Sequence, residues 1–167
     1  MISEGPKNIP RIVVYGSKGF DELISRFRTY TGKSFTVLFS GPAGTCKPLA
    51  ADIIAAELGL GVFRVDLSSV VNKYIGETEK NLDRVFREAS AGGAILFFDE
   101  ADALFGKRAE VADTHDRYAN LEIKYLLQKI EKYDGIVVLA TNHNRNIDEA
   151  FIRKMRFVVE FPLEKRK

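Results

Sequence analysis

Residues 36–58 read Thr-Val-Leu-Phe-Ser-Gly-Pro-Ala-Gly-Thr-Cys-Lys-Pro-Leu-Ala-Ala-Asp-Ile-Ile-Ala-Ala-Glu-Leu. Val37, Leu38 and Phe39 form a short apolar run of the kind that makes a buried strand. A glycine-bearing loop follows from Gly41 to Lys47, and a helix is expected to begin at Pro48. Strand, glycine loop, lysine and helix is the order of a phosphate-binding loop. Backbone N–H groups and the positive end of the helix face an anion there, and the lysine reaches its outer oxygens. The usual spacing is G-x-x-x-x-G-K-[ST]; this chain keeps Gly41 and Lys47 but has Cys46 for the second glycine and Pro48 for the hydroxyl residue. Gly41, Pro42, Ala43, Gly44, Thr45, Cys46, Lys47 and Pro48 are therefore the expected anion-binding stretch, altered at two positions.

Both alterations matter chemically. Pro48 has no hydroxyl for a metal and no N–H for a phosphate oxygen, and it biases Lys47 away from helical geometry. Cys46 places a Cβ where glycine lets the backbone come close to phosphate. A lost charge-assisted hydrogen bond costs about 1.5–3 kcal/mol, and positive φ at Cys46 would add roughly 1–2 kcal/mol. Together they weaken binding by about two to nearly four decades. A thiol beside Lys47 at a helix start can also be redox-sensitive, but a replaced glycine explains the residue more simply. The helix itself should tolerate Pro48, because the first helical N–H groups need no intrahelical partner. Its buried stripe is expected at Leu49, Ile53 and Ala56, with Gly59 as the stop.

The rest of the composition is ordinary. A chain of 167 residues suggests one domain, and 46% hydrophobic with 29% charged residues fits a soluble globular protein. A net charge of +2 gives no field for nucleic acid or a membrane surface. No apolar run approaches the roughly 20 residues that span a bilayer, and Met-Ile-Ser-Glu-Gly-Pro-Lys is not laid out as a signal peptide. One cysteine rules out an intramolecular disulfide, so a cytosolic (cytoplasmic) protein is the default expectation.

Residues 1–35 read as a lead-in segment, with a helix over Phe20–Tyr30 carrying Phe20, Leu23, Ile24 and Phe27 on one face. After the first helix of the core, Val62–Leu67 reads as a strand and Glu77–Ser90 as a helix with Leu82, Val85, Phe86 and Ala89 on one side. Ala94–Phe98 is a continuous apolar run, as in a parallel strand buried on both faces. It ends in Asp99-Glu100, where ligands of open α/β sheets bind. Two such acids can divide the work: Asp99 holds Mg²⁺ through its water shell and Glu100 activates a water. A helix over Arg117–Tyr133 and strands at Ile136–Ala140 and Phe157–Phe161 complete the pattern. His115 and His143 lack metal-ligand spacing and read as solvated. Strands alternating with helices predict an α/β three-layer sandwich with a mostly parallel, five-stranded sheet and no internal repeat.

From Val37 to Pro162 the chain resembles the AAA family of ATPases, in its large α/β subdomain with a P-loop NTPase core. Phe39–Lys47 looks like Walker A, and Ile95–Glu100 with Ala101-Asp102-Ala103 looks like Walker B. Leu139-Ala140-Thr141-Asn142 looks like the sensor-1 strand, and Asn146–Phe157 like the arginine-finger segment. The resemblance implies ATP and Mg²⁺ as cofactors. It implies that Lys47 contacts the β- and γ-phosphates, Asp99 holds Mg²⁺, Glu100 polarises the attacking water, and Asn142 orients it. Arg153 and Arg156 would reach a neighbouring subunit's nucleotide. Lys73 with Tyr74, Ile75 and Gly76 matches the family's pore loop, whose aromatic grips a polypeptide in a hexameric ring.

The resemblance also implies a helical lid after the last strand, whereas residues 163–167 read only as a basic tail. The lid is thus absent, or the chain is a fragment. The expectation is a core at 36–162 that binds ATP, hydrolyses it and remodels protein in an oligomeric ring. The alternative is a non-hydrolysing scaffold that donates arginine fingers, and a binding module without nucleotide is a third reading.

Overall fold

The computed structural model describes residues 11–29, 34–71, 76–105, 114–142 and 149–162. The strands are β1 (Arg11–Val14), β2 (Ser34–Ser40), β3 (Val62–Asp66), β4 (Ile95–Asp99), β5 (Gly135–Thr141) and β6 (Phe157–Glu160). They form one sheet in the order β1-β6-β2-β5-β4-β3, with every described pair parallel. The sheet has six strands rather than the five expected. The extra one is the β-branched stretch at Arg11–Val14, which pairs Arg11 with Phe157 and Val14 with Glu160. Four residues without alternation carry too little pattern to be read as a strand; pairing with β6 makes them one.

The helices are α1 (Lys18–Thr29), α2 (Lys47–Leu58), α3 (Leu67–Val70), α4 (Glu77–Gly92), α5 (Asp102–Phe105), α6 (Thr114–Lys132) and α7 (Glu149–Ile152). One core lies between the sheet and α1 and α2, built from residues such as Leu23, Phe27, Phe39, Ile54 and Phe97. The other lies on the opposite face, where Leu82, Phe86, Leu126 and Ile130 cover Leu38, Phe98 and Leu139. The central strands are buried on both sides, and Val37, Leu38 and Phe39 are fully excluded from solvent. This is why these strands read as unbroken apolar runs.

Helix α2 departs from expectation. Its buried residues are Lys47, Ala50, Ala51, Ile54 and Ala55, while Leu49 is 52% and Ile53 40% exposed. Ala56 is exposed as well. The face is set by the loop before it, which turns Lys47 inward and brings the alanines, i+3, i+4 and i+8 from it, against the sheet. Small side chains let the helix lie close, so the larger Leu49 and Ile53 are left outside. The helix also begins at Lys47, one residue earlier than expected, so Pro48 is its second residue. That position suits proline equally, because none of the first four N–H groups has an intrahelical acceptor. Lys47 takes helical geometry despite preceding proline, and the first turn closes through Ala50 N–H to Cys46 O at 3.1 Å.

Candidate functional site

The carboxyl ends of β2, β4 and β5 converge on one cleft of about 390 Å³, lined by the loop from Ala43 to Pro48 and by Asp99, Glu100 and Asn142. The parallel register brings this about. Ser40 lies beside Thr141, and Phe98 beside Leu139, so each strand releases its polar residue at the same edge. Gly41 N–H donates to Thr141 O at 3.2 Å and Ala101 N–H to Ala140 O at 2.9 Å. These bonds tie both sides of the cleft to β5.

The loop has the form of an anion cradle. A Cβ at Gly41 would lie 2.5 Å from the carbonyl oxygen of Phe161, so only glycine lets the chain leave β2 there. Gly44 has φ of 84°. Cys46 caps α2 in the left-handed region, with φ 65° and ψ 33°, and its side chain is exposed and makes no cap hydrogen bond. The glycine-favouring conformation is therefore kept although the glycine is not. Holding a residue with a Cβ there costs roughly 1–2 kcal/mol.

Lys47 is 5% exposed. Its Nζ donates to Gly41 O at 2.7 Å, Pro42 O at 3.0 Å and Thr45 Oγ1 at 3.4 Å, while Thr45 Oγ1 donates to Pro42 O. Burial pushes the ammonium below its ordinary pKa, against the opposing pull of Asp99, Asp102 and Glu100. Among the described residues, its ammonium is held by loop carbonyls and one hydroxyl and forms no ion pair, and an anion in the cleft would supply a direct counter-charge.

The acid side is equally ordered. Glu100 follows β4 with φ of 60°, and its N–H donates to Asp99 Oδ1 at 2.9 Å. Asp99 Oδ2 is 3.0 Å from Arg64 Nη2. Asp102, on α5, accepts from Thr141 Oγ1 through one carboxylate oxygen and from Asn142 N–H at 3.1 Å through the other. Thr141 is 1% exposed, so this bond is sheltered and fixes Asn142 relative to the acid pair. Sequence reasoning missed both Asp102 and Arg64 as parts of the site. Asp102 sat inside a matched motif but had no role; Arg64 had no signal beyond its place on the neighbouring strand.

Two expected elements lie elsewhere. Arg153 and Arg156 stand before β6, at the amino ends of the strands, opposite the cleft. Arg156 N–H donates to Thr36 O at 2.8 Å, and its guanidinium lies 5.6 Å from the Phe35 ring centre. From Thr36 to Gly41 the strand climbs roughly 16 Å at about 3.3 Å per residue. Neither arginine lines the cleft of its own chain. Tyr74 and Ile75 lie outside the described residues, and Gly76 is the left-handed cap that starts α4.

The cleft suits a nucleotide triphosphate in its glycine turns, helix start and buried lysine. It suits a divalent cation less fully. Asp99 offers a carboxylate, but Pro48 offers no donor. Among the described residues no group of three or more His, Cys, Asp or Glu is placed to hold a metal alone. A cation here would depend on phosphate oxygens and water for most of its shell. Among the described residues, no helix is long and apolar enough to cross a membrane.

Residues 37–165 match the model of the ATPase family associated with various cellular activities (AAA). An uncharacterized AAA family ATPase of Sinorhizobium fredii is 38% identical over 127 residues, covering 75% of this chain and 38% of the relative. The proteasome-activating nucleotidase of Aeropyrum pernix is 37% identical over 134 residues, covering 76% of this chain and 33% of that protein. The peroxisomal ATPase PEX6 of Kluyveromyces lactis is 39% identical over 126 residues, covering 72% of this chain and 13% of that protein. The chain thus spans 38% or less of the length of these relatives.

Proposed function

The chain belongs to the AAA family of ATPases, and from that premise we propose that it binds ATP in the Lys47 cleft and hydrolyses it slowly to power protein remodelling in an oligomeric ring. The observation that carries this reading is the buried Lys47, with no ion-pair partner among the described residues, lining one cleft with Asp99, Glu100 and Asn142. In it, Lys47 leaves the Gly41 and Pro42 carbonyls to meet the outer phosphates. Glu100 takes the proton of the attacking water, and Asn142, held at its backbone by Asp102, orients that water. When bound, Mg²⁺ would neutralise phosphate charge, and Asp99 would hold it through its water shell.

Arg153 and Arg156 do not line their own cleft, which favours action on a neighbouring copy's nucleotide. A hexameric ring and a polypeptide gripped near Tyr74, Ile75 and Gly76 follow from family resemblance. The missing hydroxyl at Pro48 favours a second reading: an ATP-binding scaffold that donates arginines without hydrolysing.

Steady-state phosphate release, compared with that of Glu100→Gln, separates the two. Loss of a general base lowers turnover by about 10²–10⁴-fold. Turnover well above the variant supports the ATPase. ATP binding with turnover no higher than the variant supports the scaffold, and absence of ATP binding defeats both.

A further inference from the structure

Asp99, which the nucleotide reading gives to the metal, already has a cation. Arg64 lies on the edge strand β3, opposite Phe97 in the β3–β4 register. Its Nη2 is 3.0 Å from Asp99 Oδ2, and its guanidinium carbon is 6.0 Å from the Phe97 ring centre. The other carboxylate oxygen accepts from Glu100 N–H. Both oxygens of Asp99 are thus engaged by this chain. The Asp99 side chain is only 19% exposed, so the pair is less screened at its acid end than an ordinary surface ion pair. A divalent ion arriving there meets a carboxylate already paired with a guanidinium and finds no hydroxyl at Pro48 to complete its protein ligands.

We propose that Arg64 takes the place of the metal at Asp99, so that this chain binds ATP with an affinity nearly independent of Mg²⁺. The proposal rests on the nucleotide reading above and changes what that site selects: the free nucleoside triphosphate as readily as its magnesium complex. Two cations then serve the site. Lys47 meets the phosphates directly, and Arg64 cancels the carboxylate that would otherwise repel them. Arg64 is a positioning residue here, acting on the nucleotide through Asp99. It sits on an exposed strand edge with 59% of its side chain in solvent.

The test is ATP titration by calorimetry on the full chain, once with excess Mg²⁺ and once with EDTA, for wild type, Arg64→Gln and Arg64→Lys. Wild type is expected to show Kd values within about threefold of each other. Arg64→Gln bares Asp99, weakens binding in EDTA by about tenfold or more and frees the acid for the metal, so its two values separate. Arg64→Lys keeps the charge and should hold the ratio near that of wild type. A merely structural role would shift both conditions together. Wild-type binding that needs Mg²⁺ by tenfold or more, with the ratio unmoved in Arg64→Gln, overturns the proposal while leaving the nucleotide reading intact. Absence of binding in both conditions overturns both.

Discussion

The two sides of the cleft have had different fates. On the loop side, Cys46 and Pro48 replace a glycine and a hydroxyl residue, yet the backbone keeps the left-handed turn and the helix start that those residues usually favour. On the acid side, the Asp99 carboxylate accepts from Glu100 N–H, and the Asp102 carboxylate accepts from the Thr141 hydroxyl and from Asn142 N–H, so each polar residue of the motif stands in place. The difference shows that cradle geometry and cradle chemistry are separable. Shape is imposed by β2, by the close approach of Gly41 to Phe161 and by the inward turn of Lys47. Metal donors depend on single side chains, and Pro48 supplies none.

The contrast can be pressed hardest by restoring the loop. Cys46→Gly with Pro48→Thr should tighten Mg-ATP binding by about 100-fold or more, since it removes left-handed strain and returns a hydroxyl and an N–H. Unchanged affinity would show that the loop was never the weaker side. The cradle side also hangs on α2, so Ile54→Ala should cost about 2–5 kcal/mol in chemical denaturation, as a fully buried residue beneath the phosphate loop. On the acid side, Asp102→Ala removes the carboxylate that accepts from Thr141 Oγ1 and Asn142 N–H; a loss of about 1–3 kcal/mol is expected in the same assay. A smaller change would mean that the Asn142 end of β5 holds itself. The least effect belongs to Leu49→Gln. At 52% exposure it should alter stability by no more than about 0.5 kcal/mol, against the larger cost of the buried stripe expected from periodicity.

That last contrast shows what was and was not legible. The central strands were readable because burial on both faces writes an unbroken apolar run, and Val37–Phe39 and Ile95–Phe98 sit fully in the core. The stripe of α2 was not, since alanines at 50, 51 and 55 score weakly against Leu49 and Ile53. What decides the face is the need to turn Lys47 inward, a tertiary constraint absent from helical spacing. β1 was too short to show itself without β6. At the site, residues within one motif were legible, because a glycine loop and an acid pair each carry their chemistry in adjacent positions. Pairings across the sheet were not. Arg64 meets Asp99 35 residues away across the β3–β4 pair, and Asp102 at the start of α5 meets Thr141 39 residues away at the end of β5.

The claim that the altered loop still works as a phosphate cradle is tested most directly by calorimetric titration of Mg-ATP into the full chain, with Lys47→Ala alongside. Binding in the range of roughly 0.1 to several millimolar, lost in the variant, is the predicted result, and follows from weakening an ordinary micromolar site by about two to nearly four decades. No heat up to several millimolar, or binding that survives Lys47→Ala, would contradict it.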